Sequence, residues 1–359
     1  MKNGVRMFSA VVAAGLVAFA AFGTTIEYDT TQTVEEPLTL TEDTTISVAA
    51  DAVVTFNAPI SGDFKLTKAG AGELVLAAVN SFGSARIEAG ILRANCNGAL
   101  GSGTITIVGS TTATCRLDFG VMPAAATFAN AFVLESASNS SHPAVRFWTG
   151  DGGKTVTFTG SWTANGYLCF SEYCNNTPQS STYYIFNCPV DVGTDILSFG
   201  ACSSISWKGD VTAKQFYAPG SSGTKPSGGN FTSYPRGSHH FYATNHIDEL
   251  KVKYNGASIH TKDAFDGVVS LIRASSSSSS RGNVVFHADD TLAAFASENA
   301  SEDTDNMRIN SGNANVVELT ITGTPATATQ TCSIKVEGAA SLTLDAFDGF
   351  KQVIQKRIH

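Results

Sequence analysis

The chain has 359 residues and a formal net charge of −8, with 15% charged residues, 43% hydrophobic residues and 33 glycines. This acidic balance argues against nucleic acid as a partner, because phosphate binding needs a basic surface. The apolar content is too high for a disordered polar chain, so we expect a folded body.

Residues 1–23 have the layout of a secretory signal peptide. Two basic residues precede an apolar run over 8–22, and small residues stand before the polar segment that begins at Thr24. The apolar run is short for a membrane-spanning helix, which needs about 20 residues. We therefore expect cleavage after Ala20 or Gly23 and a secreted or cell-surface protein with no membrane span; an uncleaved N-terminal anchor is the alternative.

Residues 24–63 alternate between polar and apolar side chains. In the segment 44–56, Ile46 and Val48 are separated by Thr45 and Ser47. A period of two, rich in Val, Ile and Thr, is typical of half-buried strands. Strands therefore begin directly after the predicted signal peptide.

The segment 64–108 has the most regular pattern in the chain. Short apolar runs are separated by glycines, which suit corners where the backbone needs a positive φ or close approach. These glycines are Gly70, Gly72, Gly83, Gly90, Gly101 and Gly103. The predicted inward side chains are Leu66, Leu74, Leu76, Ile87, Leu92, Ile105 and Ile107. Strands this short cannot each bury a face alone, so neighbouring coils must stack to form a core.

This segment also resembles a known repeat. It reads L-T-K-x-G-x-G-x-L-x-L from Leu66, has an Asn at position 80, and continues as I-x-x-G-x-L from Ile87 and A-L-G-S-G-x-I-x-I from Ala99. The pattern is similar to the autotransporter-associated β-strand repeat of bacterial secreted and surface proteins, and Cys96 departs from it. The resemblance implies an all-β fold, a right-handed single-stranded parallel β-helix or β-solenoid.

Strand-like segments recur from residue 109 to residue 347. We expect a β-helix over 24–218, a Gly/Ser/Pro-rich loop or linker at 219–239, and a β-helix continuation at 240–359. A helix is conceivable only at 292–297 and at the tail. The resemblance implies an outer-membrane translocator after the passenger, so we expect the chain to be a truncated or split copy.

Seven cysteines are too few for a disulfide scaffold in a chain of this length. Cys169 and Cys174 are the favoured pair, and the others are expected to act as small buried apolar side chains. The absence of a C-x-x-C pair gives little support to a zinc site. The other cysteines are Cys96, Cys115, Cys188, Cys202 and Cys332.

The sequence gives little support for a catalytic or metal-binding site. The acidic groups, which we interpret as solvated turns, are Asp289 with Asp290; Glu302, Asp303 and Asp305; and Glu35 with Glu36. The run from Asp303 fails as a calcium loop, because Met307 and Arg308 occupy positions that need oxygen ligands and glycine. His239, His240 and His246 lie close in sequence, but adjacent strand residues point to opposite faces, so at most two would converge on a metal. No serine lies in a G-x-S-x-G motif, and no glycine-rich loop precedes a helix.

The most aromatic region offers a possible carbohydrate-binding surface, or alternatively fills the interior of the solenoid. It contains Trp162, Tyr167, Phe170, Tyr173, Tyr183 and Tyr184. The resemblance to the autotransporter-associated repeat implies an exported structural or adhesin-like passenger protein, and we expect no enzyme activity, cofactor, metal or catalytic residue. Its predicted partners are extracellular glycans or cell surfaces, with end-to-end self-association. The alternative is a carbohydrate-binding or carbohydrate-active β-helix protein that uses Asp289, Asp290 or Asp303.

Overall fold

The computed structural model describes residues 5–8, 23–120, 125–148, 154–173, 183–200, 204–218, 238–252, 256–265, 267–272, 283–292, 294–298, 307–311, 317–321, 334–337 and 340–344. These residues form strands, turns and bends, and none of them lies in a helix. The chain divides into two compact units: the first comprises 1–150 with 156–170, and the second comprises 151–155 with 171–359. Within the described ranges, no helix is long and apolar enough to cross a membrane.

Most strands in the described ranges have two to five residues. In residues 5–173 they are β1 (Val5–Phe8), β2 (Thr24–Tyr28), β3 (Gln32–Val34), β4 (Leu38–Thr39), β5 (Thr44–Val48), β6 (Val53–Phe56), β7 (Ile60–Ala69), β8 (Glu73–Leu76), β9 (Ser81–Ile87), β10 (Gly90–Ala94), β11 (Ile105–Ile107), β12 (Cys115–Phe119), β13 (Ala125–Phe128), β14 (Phe132–Leu134), β15 (Val145–Trp148), β16 (Thr155–Phe158), β17 (Trp162–Ala164) and β18 (Leu168–Tyr173). In residues 183–344 they are β19 (Tyr183–Phe186), β20 (Val190–Asp191), β21 (Ile196–Gly200), β22 (Ser204–Trp207), β23 (Val211–Ala218), β24 (Ser238–Phe241), β25 (Asn245–Val252), β26 (Gly256–Ile259), β27 (Val268–Ile272), β28 (Asn283–Phe286), β29 (Asp290–Leu292), β30 (Ala294–Glu298), β31 (Met307–Ser311), β32 (Val317–Ile321), β33 (Ile334–Glu337) and β34 (Ala340–Leu344).

In the first unit, parallel strands from successive coils stack in register. One stack contains β6, β8, β10, β12 and β15, and another contains β2, β5, β7, β9, β11, β14 and β17. The register partners along the first stack form a fully buried column, Val54, Leu74, Leu92, Leu117 and Val145. This arrangement confirms the predicted parallel β-helix class, while the handedness of the coil remains a prediction. β1 is an exception because it pairs antiparallel with β2.

All seven predicted inward side chains of the segment 64–108 are buried, with exposed fractions of 0 or 1%. The glycines at the corners meet the two predicted requirements, a positive φ and a close approach of backbone. Gly70 has a φ of +74°, which favours glycine, and a Cβ on Gly103 would overlap the carbonyl oxygen of Gly83 in the preceding coil. Close stacking of backbone on backbone therefore requires glycine at this corner.

Two polar side chains inside this segment hold coils together. The Oδ1 atom of Asn80 accepts from the Ile60 amide at 2.7 Å, and its Nδ2 donates to the Ala99 carbonyl at 2.6 Å. Lys68 occupies an inward position between Ile46 and Ile87 and is 1% exposed.

The Nζ atom of Lys68 donates to the carbonyl oxygens of Ala69, Gly70 and Ala89, at 2.7, 2.7 and 3.1 Å. Burial lowers the pKa of Lys68 to about 8. The three carbonyl oxygens satisfy the three donors of the ammonium, which makes its burial tolerable.

Three of the six residues of the predicted aromatic region lie in the interior. Trp162, Phe170 and Tyr184 are at most 2% exposed, whereas Tyr183 is 50% exposed. Trp162 stacks on Phe132 with ring centroids 4.0 Å apart. These buried rings follow the interior-filling alternative, and Trp162, Phe170 and Tyr184 do not form a carbohydrate-binding surface.

The second unit repeats the same construction. β19, β22, β24, β26 and β28 are parallel and in register, and their inward residues Phe186, Trp207, Phe241, Ile259 and Phe286 are buried. The helix considered at 292–297 is wrong: Leu292 ends β29, and 294–298 form β30, which pairs parallel with β27. The predicted helix at the tail lies outside the described residues.

The cysteines behave mainly as buried apolar side chains. Cys115, Cys169 and Cys188 are at most 5% exposed, and Cys96 is partly exposed. The Sγ of Cys169 lies 3.8 Å from the carbonyl oxygen of Phe170. The disulfide of Cys169 with Cys174 stays a prediction, because Cys174 is not among the described residues. Cys174, Cys202 and Cys332 lie outside the described residues.

Candidate functional site

The predicted histidine group divides between the two faces of β24. His239 is completely buried, and the Nε1 atom of Trp207 donates to its Nδ1 at 3.3 Å. His240 points to the outer face and is partly exposed. The expectation that adjacent histidines face opposite ways is therefore confirmed. His246 is exposed on β25.

A chain of hydrogen bonds crosses the outer face of the second unit. The Oγ of Ser204 lies 3.4 Å from the Oγ of Ser238, which in turn lies 2.8 Å from the Nε2 of His240. The Nδ1 of His240 lies 3.0 Å from the Nε2 of His260. Ser204 lies in β22, Ser238 and His240 lie in β24, and His260 directly follows β26; these three strands are adjacent in the parallel stack. We call Ser238, His240 and His260 the serine–histidine cluster.

The ring of His260 is held between two other rings. Tyr242 stacks on it with centroids 4.3 Å apart and an interplanar angle of 11°, and His287 stacks on it at 4.1 Å and 12°. Tyr242, His260 and His287 each follow directly after an in-register strand, which explains the column. The stacked rings cover the faces of His260, so it can interact with ligands and neighbours only through its edge.

Burial determines the protonation of this cluster. Desolvation, aided by the nearby His287 and His240, lowers the pKa of His260 to about 4. Desolvation and His287 also lower the pKa of His240 below its ordinary value of 6.5. Both imidazoles are therefore neutral at pH 7, and each has one donor nitrogen and one acceptor nitrogen.

The predicted acidic groups do not converge. Asp289 is exposed, whereas Asp290 is 2% exposed and its Oδ1 lies 3.4 Å from the amide of Phe265. The expectation of a solvated turn is wrong for Asp290, because β29 turns this side chain into the coil. Glu35 and Glu36 are exposed, and Glu302, Asp303 and Asp305 lie outside the described residues. Within the described part of the chain, no three His, Cys, Asp or Glu side chains form a possible metal site.

A second charged cluster lies on the first unit and was not predicted. Asp118 is 2% exposed; its Oδ1 pairs with Arg116 at 2.7 Å and its Oδ2 with Arg146 at 2.7 Å. Arg93 lies 3.6 Å from the same carboxylate and 2.9 Å from Glu73. Arg93, Asp118 and Arg146 are register partners on adjacent strands, so the network follows from the stacking. We call these five residues the arginine–carboxylate network.

Sequence reasoning missed the serine–histidine cluster. The spacing S-x-H at 238–240 places a hydroxyl and an imidazole on one face of a strand, and His260 follows one coil later. The coil length was the missing information, because only the register shows that His260 returns beside His240.

No protein-family model, no curated protein and no solved structure matches this chain.

Proposed function

We propose that the chain is an exported structural protein of the bacterial cell surface, an adhesin-like passenger that presents loops to glycans or neighbouring cells. The observation that carries the proposal is the in-register stacking of short parallel strands around a buried, mainly apolar interior in the first unit. Solenoids of this kind gain stability from neighbouring coils and offer long surfaces for extended ligands. That step from fold to role is a fold-level analogy.

The residues shared with the autotransporter-associated repeat have structural roles that support the same proposal. Gly70 and Gly103 form corners, and Asn80 links three coils through its amide group. A repeat that preserves corners and cross-coil hydrogen bonds serves to lengthen a stack. This supports a passenger-like role for the segment 64–108.

Export is tested first, by expressing the full chain in a Gram-negative host and determining the N-terminus of the protein outside the cytoplasm. We expect it to begin at Ala21 or Thr24. The matched control is Leu16→Arg, which interrupts the apolar run and should leave the chain in the cytoplasm with residues 1–23 attached. An intact N-terminus on a cytoplasmic wild-type chain would contradict the proposal.

Adhesion is tested separately, by coating beads with the purified chain and measuring bacterial attachment. Deletion of 219–237, which leaves β24 intact, should reduce attachment if this segment is a presented loop. The control replaces the same residues with a Gly/Ser segment of equal length. Equal attachment to wild-type and uncoated beads would refute the adhesive role.

The carbohydrate-active alternative depends on acidic side chains that lie in different environments. Since Asp290 is buried and Asp289 is exposed, the two do not face one cleft as an acid and base pair would. We expect Asp289→Asn and Asp303→Asn to leave any polysaccharide cleavage unchanged. Loss of cleavage in either variant would favour the enzyme.

A further inference from the structure

The order of atoms in the serine–histidine cluster matches what nucleophilic catalysis requires. A hydroxyl contacts one nitrogen of an imidazole, and a third group contacts the other nitrogen and orients the ring. With the hydrogen of His240 on Nδ1, Ser238 donates to Nε2 and His240 donates to the Nε2 of His260. We propose that Ser238 and His240, positioned by His260, form a nucleophilic site that hydrolyses carboxylic esters on the outer face of the second unit.

His260 is suited to its role because its orientation is held from both sides. Tyr242 and His287 stack on its two faces, so the ring stays in the plane that directs Nε2 at His240. A pKa of about 4 keeps His260 neutral at pH 7, which preserves Nε2 as an acceptor. His260 acts through His240 and is therefore a positioning residue.

The described neighbours of Ser238 in the stack have small side chains or none. Its register partners are Ser204 in one adjacent coil and Gly256 in the other, and His240 has Ser258 beside it. None of these three neighbours has a side chain larger than that of serine. The Ser204 hydroxyl, 3.4 Å from the Ser238 oxygen, can donate to an oxyanion that forms on a carbonyl attached there.

The reaction balances with water as the only co-reactant. The Oγ of Ser238 bonds to the carbonyl carbon while its proton moves to the Nε2 of His240. The carbon–alkoxy bond then breaks, and the leaving alcohol takes that proton. Water attacks the acyl-serine, gives a proton to His240, and the carboxylic acid leaves as the proton returns to Oγ.

The lack of charge on His260 determines which class of substrate the site favours. A neutral imidazole orients His240 but stabilises the imidazolium less than a carboxylate would, because it carries no negative charge. His240 is then a weaker base towards the Ser238 hydroxyl, which favours attack on the more reactive carbonyl of an ester over that of an amide. The site goes beyond the proposed structural role and does not depend on it.

The test uses the full chain with p-nitrophenyl acetate and a fluorophosphonate. We expect hydrolysis, a fluorophosphonate adduct on Ser238 identified by peptide mass spectrometry, and loss of both in Ser238→Ala. Ser206→Ala, at the register partner of His240, and His246→Ala, at an exposed imidazole, are the controls and should retain wild-type rates. Labelling elsewhere, or an unchanged rate in Ser238→Ala, would overturn the proposal.

The roles of the two histidines are separated by kinetics. His240→Gln should slow turnover at least 100-fold, since it removes the base. His260→Phe keeps a ring between Tyr242 and His287 but removes the acceptor, and we expect turnover to slow by a factor of about ten or more while KM and the circular dichroism spectrum stay unchanged. The wild-type rate should rise with pH with a midpoint below 6.5, because burial and His287 lower the pKa of His240. A His260→Phe variant that turns over as fast as wild type would show that His260 only packs.

Discussion

Neutralising Asp118 tests how much the arginine–carboxylate network contributes to stability. Asp118→Asn keeps the shape of the side chain but leaves Arg93, Arg116 and Arg146 with Glu73 as the only remaining carboxylate of the network. Removing one partner of a buried ion pair costs about 3–5 kcal/mol, and the retained amide oxygen places the expected loss near the lower figure.

The matched control is an ion pair at the surface of the same unit. Arg86 holds Glu135 through two hydrogen bonds of 2.7 and 2.8 Å, but the Glu135 side chain is 43% exposed. Such pairs contribute about 0–1 kcal/mol, so Glu135→Gln should change stability little and only at low salt.

The assay is urea unfolding followed by circular dichroism at low and high salt, with hydrogen exchange of β10, β12 and β15 as a local measure. We expect Asp118→Asn to lower the midpoint at both salt concentrations and to increase exchange in these three strands. If Asp118→Asn and Glu135→Gln destabilise the protein equally, the buried network contributes no more to stability than the surface ion pair does.

Three further changes address the core. Asn80→Ala leaves one buried amide and one buried carbonyl without their partner, so we expect a loss of about 2–4 kcal/mol in urea unfolding, against little change for the exposed Asn57→Ala. Gly103→Ala forces a Cβ against the preceding coil and should cost about 1–3 kcal/mol in the same assay; an unchanged midpoint would contradict the close stacking. Burial lowers the pKa of His239 to about 3. As the pH falls from about 6.5 towards 3, this imidazole is protonated in the unfolded chain but not in the folded chain, so the free energy of unfolding decreases over that interval. His239→Phe removes this uptake, and its thermal midpoint should fall less between pH 7 and pH 4 than that of wild type; equal slopes would refute the assignment.

The strand pattern and the inward aliphatic residues of 64–108 could be predicted from sequence because both are local. Ile105 and Ile107 stand on either side of the polar Thr106, and such a period of two is visible without knowing the fold. Glycine corners are visible for the same reason, since their cause is a backbone conformation or close approach that other residues do not tolerate.

The polar interior could not be predicted in this way. Lys68 appears in the sequence as a charged residue, and only the stacking shows that three carbonyl oxygens surround its ammonium. Asp118 likewise depends on arginines that are 25 residues before it and 28 residues after it. The partners of such groups depend on the number of residues in each coil, which varies along the chain and cannot be read from a short motif.

The central claim, that successive coils stack one above another, is tested most directly by distances along one outer column. Thr25, Thr106 and Thr163 lie in a single register column, four and six steps apart from Thr25. Spin labels on unnatural amino acids leave the native cysteines unchanged. At about 4.8 Å a step, double electron–electron resonance should give backbone separations of about 19 Å for the pair 25/106 and about 29 Å for 25/163. Equal distances for the two pairs, or a shorter one for 25/163, would contradict the stacked coil.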